Sequence, residues 1–237
     1  MRKALSVTTV THAFIEHFIE HRGVPRERTS FLPNGAHIDI LRPLPRDNAY
    51  ARELGTGDRK VFTYAGTHAH YQGLEVIVEA AQLLVDRTGI VILMVGQGPV
   101  REQLIREAKA AGLENILFRD SPFEEMPRLM SITYASLVVL KDMPIARKMR
   151  LSKAIPPLAC GVPLIYAGRG ESAEIIQKEC CGVVVEPSNP SVLTSWRAPS
   201  ANLPTILKAE TTWESEVARW QKANSPGDSW SRTGFAR

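Results

Sequence analysis

From residue 61 onward the chain alternates short apolar runs with amphipathic stretches of helical period, and few folds satisfy that pattern. "VFTYAG" is a short apolar run closed by Gly66, and "GLEVIVEAAQLLVDRTG" then carries Leu74, Ile77, Val78, Ala81, Leu84 and Val85 at helical spacing. "IVILMVGQG" is continuously apolar, the sign of a strand buried on both faces. "PVREQLIREAKAAGL" is a charged amphipathic helix with Pro99 near its start and Gly112 at its end. "NILF", "SLVVL", "PLIYA" and "GVVVE" are further strands, with "EEMPRLMSIT" and "ESAEIIQKEC" as helices between them. Such alternation with short polar loops predicts an α/β fold, a doubly wound, Rossmann-like parallel sheet with right-handed crossovers.

The ends read differently. Residues 1–43 hold a strand-like "ALSVTTV", a helix "AFIEHFIEHRG" and a strand "TSFLPNG". After Pro190 the periodicity fades, leaving one helix-like "TTWESEVARWQKA" and a tail. No run of 18 apolar residues is present, and "MRKALSVTTVTHAF" has neither the apolar core nor the cleavage site of a signal peptide. The three cysteines, Cys160, Cys180 and Cys181, lack metal-ligand spacing and suit a reducing cytosol, so a cytoplasmic location is expected. A net charge of +4 permits nucleic-acid binding, but aromatics are 7% of the chain and no base-reading motif occurs, so no nucleic-acid partner is expected.

In an open parallel sheet, ligands bind outside the carboxyl ends of the strands. That directs attention to "AGTHAHYQG", "VGQGP", "RDSPFEE", "KDMPIARKMRLSK" and "AGRGES". Gly96 and Gly98 follow a strand and precede a helix, but Arg101 stands where a dinucleotide fingerprint wants its third glycine, and the acid closing the next strand is missing. A tight turn that packs a helix close on its strand accounts for the pair. "GTHAHYQG" leads into a helix N-terminus, whose free amides and positive dipole end suit a phosphate. His68 and His70 are either metal ligands or loop hydrogen-bonders; no third ligand lies nearby, which favours the second and gives no metal site. Glu171, after Gly168 and Gly170, is either a dipole-favoured helix start or a hydroxyl-binding acid. No nucleophile–base pair or paired carboxylates emerge, so spacing names no catalytic residue. One charge excess is local: Lys141, Arg147, Lys148, Arg150 and Lys153 fall within thirteen residues.

Taken in order, "TSFLPNGAHIDILRP", "FTYAGTHAHYQGLEVIVEAAQLL", "ILMVGQGPVREQLIREAKAAGLENILF", "SPFEEMPRLMSITYASLVVL" and "SKAIPPLACGVPLIYAGRGESAEIIQKECCGVVVEPSNP" resemble the donor-binding C-terminal domain of family 4 glycosyltransferases, which have the GT-B architecture. The match runs from about residue 29 to 190, and its flavour is that of the subgroup transferring amino- or deoxy-hexoses in bacterial surface-polysaccharide synthesis. The resemblance implies a retaining transfer of a hexose-type sugar from a nucleotide diphosphate sugar to a glycan or lipid-linked acceptor, with no metal or other cofactor. It implies domains at 1–28 (a strand and helix left from a preceding domain), 29–190 (donor binding) and 191–237 (an irregular segment with one helix). Gly66, Thr67 and Gly73 match the loop near the diphosphate, and Pro122 and Phe123 the place of the base. Ser152 and Lys153 match the phosphate-facing pair, and Glu171 the acid at the sugar-facing helix start. Arg147 and Lys148, in the cation cluster, join the expected donor site, because a leaving diphosphate must meet fixed positive charge.

Two departures accompany the resemblance. The family's two glutamates, one facing sugar and one ribose, align with Lys148 and Pro156. Pro156 and Pro157 are tolerable within a first helical turn, but would kink a longer helix at a cost of about 3 kcal/mol. The acceptor domain is also largely missing from residues 1–28, so an acceptor-domain partner is expected, as is peripheral contact with the inner membrane face through the cations. The alternative implication is a degenerate nucleotide-sugar-binding module without turnover.

Overall fold

The computed structural model describes residues 4–150 and 152–190. Its chain falls into two compact units that part between Gly35 and Ala36. The first holds β1 (Val7–Thr9), α1 (His12–Arg22) and β2 (Thr29–Phe31), with β1 and β2 parallel and Val7 opposite Thr29. Thr11 caps α1 by accepting a hydrogen bond from the Phe14 amide at 3.2 Å, and Gly23 ends it in the left-handed conformation. The domain boundary expected between residues 28 and 29 therefore lies later in the chain, because the ladder with β1 holds Thr29–Phe31 in the first unit. The expected segment 191–237, with its helix-like "TTWESEVARWQKA", lies outside the described residues.

The second unit begins with α2 (Asn48–Glu53), a short helix that the sequence pattern does not announce. It continues as β3 (Lys60–Ala65), α3 (Glu75–Leu83), β4 (Ile90–Val95), α4 (Arg101–Ala110), β5 (Ile116–Arg119) and α5 (Met126–Ile132). Then follow β6 (Thr133–Val139), α6 (Ile155–Ala159), β7 (Leu164–Ala167), α7 (Glu171–Lys178) and β8 (Gly182–Val185). All neighbours in the sheet are parallel, in the order β5-β4-β3-β6-β7-β8. This is the doubly wound, Rossmann-like arrangement, with strand order reversing between β3 and β6. Among the described residues, no helix is long and apolar enough to cross a membrane.

The sheet separates two apolar layers, and the alternation of strand side chains sorts residues between them. Ile92 and Met94 of β4 join Phe62 of β3 and Leu74, Ile77, Val78 and Ala81 around α3, with Leu104 of α4. Val91, Leu93 and Val95 face the other way, toward Tyr50 and Ala51 of α2 and Leu129 and Met130 of α5. The helical spacing around α3 thus marks its buried stripe, except that Val85, beyond the helix end, is 53% exposed.

The paired prolines find a simple solution. α6 is only five residues long, so Pro156 and Pro157 occupy its second and third positions, where an amide has no partner one turn back. Their carbonyls still close the turn, accepting from Cys160 at 3.0 and 3.1 Å. The segment is a short helix started by prolines, not a long one broken by them.

Leu104→Ala should lower stability by about 2–5 kcal/mol, since a fully buried anchor of α4 would leave a cavity against the sheet. Urea unfolding of the two chains measures the difference.

Candidate functional site

Because every strand of the larger sheet runs one way, the loops following β3, β4, β5, β6 and β7 share one edge. The first two are interlocked through backbone. Gly66 N–H donates to Val95 at 3.0 Å, His68 N–H to Gln97 at 2.8 Å, and Val100 N–H to His68 at 3.1 Å. A Cβ on Gly96 would lie 2.3 Å from the Gly66 oxygen, and one on Gly98 would lie 2.4 Å from the His68 oxygen. These glycines let one loop pass against another, a closer reason for "GQG" than the helix-to-strand packing expected from sequence.

His68 is completely buried by this contact, and neither ring nitrogen has a hydrogen-bond partner. Its ring lies among Tyr64 and Phe118, with centroids 5.6 and 6.4 Å away. Burial drives its pKa down to about 4, and the charges of Arg101 and Lys153 push the same way. The side chain is therefore a neutral wedge and not the loop hydrogen-bonder expected, while its backbone does the tying. His70 is exposed. Among the described residues no three His, Cys, Asp or Glu side chains gather as a metal site.

The cation cluster divides when its partners are followed. Lys141 Nζ pairs with Glu75 at 3.3 Å, across Gly73, where a Cβ would meet its Cγ at 3.0 Å. Arg147 grips Asp142 through Nε and a terminal nitrogen, both at 3.1 Å, and Arg169 reaches the same carboxylate at 3.4 Å. Arg150, with its side chain only 6% exposed, pairs with Glu171 at the start of α7. Gly170 allows this seam to close, since a Cβ there would collide with the Arg147 carbonyl. Lys148 lies half-buried in the turn Ala146–Lys148.

Lys153 is different. Among the described residues no carboxylate lies within ion-pair distance of it. Its Nζ instead donates to the Tyr64 hydroxyl at 3.0 Å, and that hydroxyl donates to the Thr67 carbonyl at 2.8 Å. A Cβ on Gly66 would sit 3.4 Å from both Cε and Nζ. Desolvation holds the Lys153 pKa down at about 8, the response of a cation taken out of water with no opposite charge to offset the loss. An anion placed here would supply that charge.

Of the expected donor-site residues, Gly66, Thr67 and Lys153 come together around Tyr64, beside the point of strand-order reversal. Gly73 joins Lys141, and Glu171 joins Arg150. Arg147 turns to Asp142. Ser152 is exposed at the head of the turn Ser152–Ala154. Pro122 and Phe123 stand apart, exposed on the loop after β5, with no hydrogen bond or ring contact to the Lys153 group. The sequence reading missed Tyr64, which looks like one more apolar strand residue, and also Asp142 and Arg169. The alternating charges of "KDMPIARKMR" were the available signal for Asp142.

The parallel sheet with its strand order reversing between β3 and β6 defines a doubly wound α/β domain, and comparison with known proteins narrows the class. The family described as Glycosyl transferases group 1 matches residues 46–195. The chain belongs to that family. It is 30% identical over 140 residues to WcaI of Escherichia coli strain K12, a glycosyl transferase assigned to colanic acid biosynthesis, covering 57% of this chain and 34% of the relative. Among solved structures it is similar to HepE of Anabaena in complex with UDP and glucose, with TM-score 0.77 and 18% identity, over 98% of this chain and 64% of that one. The isolated C-terminal domain of the group 1 protein LpcC from Francisella tularensis gives TM-score 0.56 and 15% identity, over 81% of this chain and 98% of that domain. These two likenesses show the fold, which is the one expected. The chain spans about a third of WcaI and under two thirds of HepE.

The buried imidazole makes stability pH-dependent with a definite sign. Below about pH 6.5 the unfolded chain protonates His68, whereas the folded chain resists until about pH 4, so stability falls as pH drops through that window. Replacing His68→Phe should flatten the loss between pH 7 and 5 in thermal melts; an unchanged slope would assign the acid limb to other groups.

Proposed function

We propose that this chain is the donor-binding part of a retaining glycosyltransferase. In this reading it moves a hexose-type sugar from a nucleotide diphosphate sugar to a glycan or lipid-linked acceptor, together with an acceptor domain. The observation that carries the reading is Lys153: a half-buried ammonium with no carboxylate partner among the described residues, set against Gly66 at the switch point. Membership of a glycosyltransferase family, with a nucleoside diphosphate named in the complex of HepE, supports the donor class.

The chemistry follows from charge. As the glycosidic bond to the diphosphate lengthens, negative charge grows on the leaving oxygens, and fixed positive charge there lowers the barrier more than it stabilises the ground state. Lys153 and the Thr67 amide supply it, and their positions are set before the donor arrives, since the Gly66 amide is already bound to Val95. The donor is the substrate, and the reading assigns no separate cofactor. Glu171, already neutralised by Arg150, meets sugar hydroxyls as a hydrogen-bond acceptor and does not carry a free negative charge into the cleft.

A second reading, a nucleotide-sugar-binding module without turnover, rests on one specific feature. Pro156 stands where the family's ribose-facing acid is expected, and as a helix-starting proline it offers no side-chain acceptor. A ribose hydroxyl without that partner loses on the order of 1.5–3 kcal/mol, roughly ten- to hundredfold in affinity.

Two measurements follow. Lys153→Ala should weaken uridine or guanosine diphosphate binding tenfold or more by calorimetry; an unchanged titration would remove the lysine from the site. Pro156→Glu, with an acid in the first turn of α6 where the dipole favours it, should tighten the same binding if the ribose position is only unfilled.

A further inference from the structure

We propose that Tyr64 is a positioning residue for the donor diphosphate: its hydroxyl ties the Lys153 ammonium to the Gly66–Thr67 loop, so that cation and loop bind as one preassembled unit. The inference rests on the donor-site reading above and adds a residue to it.

Three observations converge on this hydroxyl. It is the middle of a two-bond chain, accepting from Lys153 Nζ at 3.0 Å and donating to the Thr67 carbonyl at 2.8 Å. Both bonds use its capacity in the sense that chemistry prefers. An ammonium can only donate and a carbonyl can only accept, so the phenol is the one group that joins them with every proton in place. Tyr64 is also completely buried, its ring held in the layer with Phe62, Ile92 and Met94, so its oxygen has little freedom to wander. Finally, the two ends it joins are remote in sequence: Lys153 comes from the turn before α6, and Thr67 from the loop after β3.

A lysine has four rotatable bonds, and holding its head in one place normally costs affinity at the moment of binding. Here the hydroxyl holds it beforehand. Gly66 keeps the adjacent space clear, since a Cβ there would touch Nζ at 3.4 Å and the Tyr64 oxygen at 3.6 Å. Beside the ammonium His68 is neutral above about pH 4, and Arg101 beyond it is engaged by Glu102 at 3.4 Å and Asp120 at 4.0 Å. The tether therefore leaves the charge of Lys153 unspent while fixing its position, which is what an anion site requires.

Tyr64→Phe keeps the ring and deletes the oxygen. With inorganic pyrophosphate and uridine diphosphate as probes on the full chain, this variant should bind three- to tenfold more weakly, and Lys153→Ala tenfold or more. The double variant should bind no more weakly, within about twofold, than Lys153→Ala alone, because a tether with nothing to hold does nothing. Fully additive losses would overturn the inference while leaving Lys153 in the site; no loss in Lys153→Ala would overturn the donor-site reading itself. Competitive acetylation gives a second readout that a purely structural role would not move. Lys153 should label at least threefold faster in Tyr64→Phe than in the parent chain, and equal rates would count against the tether. If Tyr64→Phe does not fold, the parent chain grown with 3-fluorotyrosine decides the question. Its Tyr64 fluorine resonance should shift on adding pyrophosphate, and the shift should vanish in Lys153→Ala; a resonance indifferent to pyrophosphate would overturn the proposal.

Discussion

An unneutralised ammonium in a partly dry place is an unstable arrangement unless something is expected to join it. Lys153 is in that state, and the structure around it explains how the fold tolerates the charge. The depressed pKa expresses the cost of burial, the Tyr64 hydroxyl offsets part of it by accepting a hydrogen bond, and the missing side chain at Gly66 keeps the neighbourhood open. The rest of the site can be read as the scaffolding that holds this one charge where strand order reverses.

That scaffolding is chiefly backbone. Loops after β3 and β4 hydrogen-bond to each other and approach so closely that only glycine fits at residues 96 and 98. Such contacts are short, rigid and independent of rotamers, so they position the Gly66–Thr67 loop more firmly than side chains would. His68 fills the space beneath as a neutral wedge. The remaining cations do a different job. Arg147 braces Asp142 within the loop after β6, while the Arg169–Asp142 and Arg150–Glu171 pairs fasten that loop to the segment after β7. Opposite charges at one rim thus close a seam, and beside it Lys153 has no carboxylate within ion-pair distance among the described residues.

The short prolyl helix shows how far a local rule reaches. Proline is excluded from helix interiors, so "AIPPLACG" could only be a first turn or a broken helix, and the sequence left both open. The decision came from the preceding turn Ser152–Ala154, which ends in time for α6 to begin at Ile155. Only then do the prolines cost nothing, and only then does Lys153 stand one turn ahead of the helix, pointing back to β3.

Periodicity alone fixed the parallel α/β layout, because continuous apolar strands and 3.6-period helices in alternation admit little else. The buried stripe around α3, the edge where ligands bind and the loops that form it were all legible there. α2 was not, since a six-residue helix is too short to show a period. Nor could residue order foretell that Lys141 and Arg150 would be paired while Lys153 would not, for that depends on carboxylates brought from Glu75 and Glu171 by the winding of the sheet. Sequence lists the charges; only the folded chain pairs them, because electrostatic attraction acts through space and not along the backbone.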